Sequence, residues 1–235
     1  MPMDAPLHLE PSRAFFRQLL AVVEKELRSE FRQRVGIAVT VLSVTTVGLI
    51  LSFALQGITL SEELFAALLW LLFFFSLSPA MGRSFLTEEE RGTRLLLYTL
   101  TLPAAVYWGK LSANILLGGA TSGIGYALVS LILSPPPIRN PLGLTIVVGA
   151  IAIGFAAALT LLSALIATAR HRNLLLPILG LPLLIPLLLS GIAATLSALR
   201  HPTWNELLPP LKLMLAYSGA TSIVGSWLFE WVWRE

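Results

Sequence analysis

Residues 143–168 read GLTIVVGAIAIGFAAALTLLSALIAT, with no charged side chain anywhere in the stretch. About 20 mainly apolar residues cross the hydrocarbon core of a bilayer as a helix, so this segment is long enough to span one. Working outward, similar runs occupy 36–56, 64–82, 106–133, 174–198 and 212–233. Each is apolar on most faces, the pattern of a helix surrounded by lipid and not of a one-striped soluble helix. With 56% hydrophobic and 12% charged residues, a 235-residue soluble domain has too little interior to hide this surface. The expectation is an all-α integral membrane protein: six transmembrane helices in a single domain over residues 1–235.

Orientation follows from lysine and arginine near the span ends. With the N-terminus in the cytosol, that side holds Arg13, Arg17, Lys25, Arg28, Arg32, Arg34, Arg83, Arg91, Arg94, Lys110, Arg170, Arg172 and Arg234. The outer side holds Arg139, Arg200 and Lys212. Both termini are therefore expected in the cytosol. The same bias accounts for the pI near 9.6 without nucleic acid. Asp4 and Glu10 precede the first apolar run, which is unlike a signal peptide. With no cysteine, disulfides and thiolate metal sites are excluded. Span five, 174–198, contains Pro177, Pro182 and Pro186, which are expected to break it or make part of it re-entrant.

Two segments lie outside the spans. Over 12–33, Phe16, Leu19, Leu20, Val23, Leu27 and Phe31 recur at steps of three and four, predicting an amphipathic helix in the membrane interface. Ser12 is its expected N-cap, and Glu24 and Arg28 have i,i+4 spacing. Glu26 and Glu30 drift towards the apolar edge, which suits a partner contact as well as a simple anchor. The second segment, 83–103, has Thr87 and Glu90 in the S/T-x-x-E arrangement that caps a short helix. Gly92 ends or bends that helix, and Pro103 breaks the chain again before an interfacial trio of Tyr107, Trp108 and Lys110. Glu88, Glu89 and Glu90 read either as a solvated face or as a handle for a basic groove on another protein.

The order of these parts resembles an ABC-2-type exporter membrane subunit, and more closely the CcmB family, the membrane subunit of the haem exporter of cytochrome c maturation. Three places carry the resemblance. One is Phe85-x-x-Glu88-x-x-x-Gly92-Thr93 with its leucine run and Pro103. Another is Gly109-Lys110, and the third is Arg170-His171-Arg172-Asn173 before the proline-containing span. Arg94 departs from the pattern, since many relatives carry Leu-Glu or a similar pair after Gly-Thr. The resemblance implies a permease in the bacterial inner membrane, paired through a cytosolic coupling helix with a separate ATP-hydrolysing subunit. It also implies a second copy of the chain, other haem-handling membrane subunits and an external haem chaperone, with haem as cargo and no intrinsic cofactor.

On that reading Phe85, Glu88, Glu89, Glu90, Gly92, Thr93 and Pro103 form the joint to the ATPase. Of the histidines, His171 falls in a basic turn, and His201, beside Pro202 and Trp204, is the better candidate for a haem contact. The chain carries no phosphate-binding loop, because Ala104 and Leu111 flank Gly109-Lys110 where glycine and Ser or Thr belong. Catalysis by this chain is not expected. Between Lys110 and Arg170 the only charge is Arg139, so the buried carboxylates of an ion-coupled carrier are missing. Gly119 and Gly123, and Ala150, Gly154 and Ala158, are spaced for close helix packing within the chain, or less often for a dimer seam. Two alternatives stay open: a scaffold that transmits hydrolysis without conducting cargo, and a generic lipid or drug exporter.

Overall fold

The charge-free stretch at 143–168 becomes the centre of the fold. The computed structural model describes residues 11–33, 35–55, 60–86, 88, 92, 99, 101–133, 135–167, 169 and 172–234. Among them lie seven α-helices and no strand: α1 (Pro11–Gln33), α2 (Val35–Leu55), α3 (Glu62–Met81), α4 (Pro103–Ile132), α5 (Pro141–Ile166), α6 (Arg172–Arg200) and α7 (Leu208–Arg234). An 18-residue apolar stretch of α5 is 72% buried, against 28–44% for the comparable stretches of the other spans. Its all-round apolar surface thus faces other helices more than lipid. Alanine and glycine make this possible, since small side chains let neighbouring backbones come close.

Four helices among the described residues are long and apolar enough to cross a membrane: Glu62–Pro79, Pro103–Ile132, Pro141–Ile166 and Ile178–Arg200. Helix α2 contributes a shorter apolar stretch, Val41–Leu55. In α7 the apolar run is diluted by Ser218, Thr221 and Ser222, whose hydroxyls donate to the carbonyls of Met214, Tyr217 and Ser218 at 2.7–2.8 Å. Such back-bonding hides the polar atoms inside the helix.

The ends of the helices are set by local chemistry. Ser61 caps α3, accepting from Leu64 N at 3.2 Å, and Glu62 and Glu63 favour its positive end. Asn140 caps α5, accepting from Gly143 N at 2.8 Å. Pro103 does not break the chain; it occupies the first turn of α4, where its missing N–H costs nothing. Ser12 lies inside α1, which already includes Pro11, and so is not its N-cap.

Helix α6 corrects a larger expectation. It runs without interruption from Arg172 to Arg200 through Pro177, Pro182 and Pro186. Each proline removes one backbone hydrogen bond. Without water competing for the remaining bonds, and with neighbours packed along it, a membrane helix tolerates the loss. Successive helices alternate in direction: Asn140 N donates to Ala198 O at 2.9 Å at one end, and Phe85 packs on Phe229 at 4.8 Å at the other. Helix α1 and the C-terminal end of α7 consequently share one end of the bundle.

The α3–α5–α6 contact is built around Trp70. Its indole lies near-parallel to Phe155 at 6.5 Å and donates to Thr195 Oγ1 at 3.0 Å. Gly191 leaves the space the indole fills, since a Cβ there would collide with the ring. By contrast, Gly119 and Gly123 meet nothing within 4 Å. They do not serve packing within the chain, because that side of α4 faces outward. Gly154 does, lying against Leu187. Replacing Gly191 with alanine is expected to cost about 1–3 kcal/mol through overpacking, read as a lower unfolding midpoint in detergent. Gly219→Ala, with open space around it, is the control and should be near neutral.

Candidate functional site

At the end shared by α1 and the α7 terminus, four charged side chains from three parts of the chain meet. Lys110 lies about two turns inside α4 and is 1% exposed, so its ammonium has left water almost entirely. Its three N–H donors have three acceptors: Glu26 Oε1 at 2.6 Å, the Ser84 carbonyl at 2.8 Å and Glu88 Oε1 at 3.3 Å. Lys25 adds a second ammonium, paired with Glu88 and lying 3.1 Å from Glu26. Among the described residues the cluster brings together two lysines and two glutamates. Burial opposes the charged form of Lys25, but the Glu26 and Glu88 carboxylates outweigh it and raise its pKa. That contribution is complete below the ordinary lysine range and is lost only as pH rises above it.

The elements that bring these groups together are set by size and shape. Helix α1 lies against α4 at Gly109, where a Cβ would come within 2.8 Å of Val22 Cβ. That close approach carries Glu26 to the neighbouring Lys110. Gln18 Oε1, also from α1, accepts from Leu102 N at 3.0 Å at the start of α4. Phe16, Leu20 and Phe31 remain exposed on α1, an apolar edge suited to the membrane interface.

Phe85 anchors the segment leaving α3. Its N–H donates to Ser163 Oγ of α5 at 2.9 Å, and its buried ring packs on Phe229 of α7. Lys110 Nζ lies 5.1 Å from the ring centroid, within cation–π range. One residue thereby touches the charge cluster and α7 through its ring and α5 through its backbone N–H. Gly92 has φ +66°, a left-handed conformation that suits glycine at a turn.

The sequence-predicted residues divide as follows. Phe85 and Glu88 come together here, with Glu88 facing inward to the lysines; Pro103 starts α4 nearby in the chain. Thr87, Glu89, Glu90, Thr93, Arg170 and His171 fall outside the described residues. His201 is exposed at the opposite end, its N–H donating to Ser197 O at 2.9 Å. Among the described residues no group of three or more His, Asp or Glu side chains is placed to hold a metal ion. Lys110 and Tyr107 are buried and not interfacial as expected, while Trp108 is half-buried. Lys25 and Ser84 carried no sequence signal, whereas Glu26, on the edge of an apolar stripe, and Gly109-Lys110 did.

Removing one member of a buried pair leaves its partner uncompensated, at a cost of roughly 3–5 kcal/mol. Lys110→Met is therefore expected to lower the unfolding midpoint by that order. Lys110→Met/Glu26→Leu, which leaves the neutral Lys25–Glu88 pair, should recover most of the loss. An unchanged midpoint for Lys110→Met would contradict the account of the cluster.

The family model described as CcmB protein matches residues 17–230, which takes in most of α1, the charge cluster and nearly all of α7. The chain is also similar to Heme exporter protein B of Bradyrhizobium diazoefficiens, at 26% identity over 211 residues, covering 88% of this chain and 93% of that protein. A match of this extent covers nearly all of the helical bundle, and the chain belongs to the CcmB family.

Proposed function

We propose that this chain is the membrane permease subunit of a haem exporter in cytochrome c maturation, driven by a separate cytosolic ATPase that docks on residues 83–103. Family membership and the relative named Heme exporter protein B support the cargo. The observation that carries the coupling reading is the buried cluster of Lys25, Glu26, Glu88 and Lys110, which joins that segment to α1 and α4. A partner that moves the segment also moves both helices, because separating them would expose an unpaired buried charge. Differential contact with the ATP-bound and nucleotide-free partner would supply the work.

Within this reading the glutamates have separate roles. Glu88 is the inward member that fixes the lever to the bundle, while Glu89 and Glu90 meet the ATPase. Phe85 seats the lever between α5 and α7, Gly92 and Pro103 shape its return to α4, and Thr93 belongs to the same ATPase joint. ATP is bound and hydrolysed by the partner, so this subunit is non-catalytic. The six helices α2–α7 cross the bacterial inner membrane with α1 on the cytosolic surface and both termini in the cytosol. The shared end of α1 and α7 and the lysine and arginine bias support that orientation. The open glycine face of α4 suits a second membrane subunit, a further copy of the chain or another haem-handling component. His201, on the outer side, is available to haem leaving towards a chaperone.

Copurification with the candidate ATPase tests the joint. Glu89→Lys/Glu90→Lys is expected to reduce recovery of the complex roughly tenfold or more, as like charges are brought together. Glu88→Gln should retain the ATPase but lose haem-stimulated hydrolysis. Failure of the wild-type chain to recover any ATPase would overturn the proposal.

A further inference from the structure

The outward face of α7 changes character along its length. Leu213, Ala216, Ala220, Val224, Trp227 and Trp231 are all exposed. At about 100° per residue they fall within about 40° of one line along the helix. The stretch from Leu213 to Phe229 holds no charge, and Lys212 and Glu230 bound it. At 1.5 Å per residue it is about 26 Å long, close to the roughly 30 Å of a hydrocarbon core.

Tryptophan stands at both ends. Trp227 and Trp231, one turn apart, are 71% and 72% exposed. Trp204 is exposed just before α7, its carbonyl accepting from Leu208 N at 2.9 Å. An indole in the open suits neither water, which its rings avoid, nor hydrocarbon, which leaves its N–H unpaired. The headgroup level of a bilayer satisfies both parts. Depth then carries across the bundle. Phe229 lies between the two tryptophans in sequence but is buried, packed on Phe85 at 4.8 Å, and Lys110 Nζ is 5.1 Å from the Phe85 ring. The outward indoles and the inward charge cluster are therefore level with each other. Helix α1, joined to the cluster through Glu26, presents Phe16, Leu20 and Phe31 outward at the same end.

We infer that Trp227 and Trp231 lie among the phospholipid headgroups of one leaflet and fix the depth of α7, which holds the charge cluster at headgroup depth. The inference rests on the proposed crossing of the membrane by α7. It commits this face to lipid and not to a partner protein, because the two indoles continue the exposed apolar line of a charge-free stretch of spanning length.

The chain has no cysteine, so a single introduced cysteine can carry a spin label without background. The full chain in phosphatidylcholine nanodiscs is labelled as Ala220→Cys, Trp227→Cys or Trp231→Cys, with helicity and gel filtration confirming that each variant is folded. Depth is read from collisions with oxygen, which concentrates in hydrocarbon, against collisions with a water-soluble nickel chelate. The oxygen-to-nickel ratio is expected to be severalfold higher at 220 than at 231, with 227 between. Adding Trp227→Leu/Trp231→Leu, which removes both indoles and keeps the face apolar, should lower the ratio at 220 as that residue leaves the midplane. A label at 231 as deep as one at 220 would overturn the inference. So would labels at 227 and 231 shielded from both reagents, as beneath a partner protein, or a ratio at 220 indifferent to loss of the indoles. Free access of nickel to 220 would overturn the crossing of α7 itself, and the inference with it.

Discussion

An ammonium buried inside a membrane protein must be neutralised where it sits, and one end of this molecule is arranged around that requirement. Lys110 is almost fully removed from water, and its acceptors come from α1 and from the segment after α3. Attraction between such close charges is several kcal/mol at an effective dielectric near 20, but desolvation offsets much of it. The cluster therefore adds little net stability relative to an apolar core. Its effect is to fix position: α1, the segment and α4 cannot separate without stranding a charge. The coupling proposed above would use the cluster as its joint for this reason.

The rest of the bundle holds that joint in place. Helix α5 presents small side chains to its neighbours, and its Ser163 hydroxyl receives the Phe85 N–H. Phe229 of α7 closes over the same ring, with Tyr107 of α4 5.7 Å away. Nearer the membrane centre, Asn114 of α4 donates to Thr160 of α5 at 2.8 Å, a buried polar pair that fixes the register of the two helices. At the opposite end, Arg200 joins α6 to Glu62 and Glu63 at the start of α3. That group is largely exposed and contributes little. Among the described residues the buried charges thus lie at the end where α1 meets α4, and the ion pairs of the opposite end are open to water.

The membrane-crossing character was legible because hydropathy is a property of each segment alone. The runs at 64–82, 106–133, 143–168 and 174–198 correspond to helices of spanning length, with ends shifted by a few residues where Ser61, Pro103 and Asn140 set the first turn. The centrality of α5 was partly legible in its alanines. The continuity of α6 was not, since three prolines in one span give opposite answers in water and in lipid. For the site, Phe85 and Glu88 stood out by motif, but the inward direction of Glu88 depends on residues far away in sequence. Lys110 looked interfacial because its position near the start of a span is where snorkelling lysines occur. Only the return of α1 against Gly109 places it beneath a cover. Glu26, an acid at the edge of an apolar stripe, was the available clue.

The most direct test of this cluster is hydrogen exchange measured on wild type and Lys110→Met under conditions where both remain folded. Locking by a shared buried charge predicts that exchange rises together in residues 11–33 and in 82–88, while Arg28→Gln, which removes only a surface pair, leaves both unchanged. Faster exchange confined to α4 around Lys110, with α1 still protected, would contradict the claim that the cluster binds these elements into one unit.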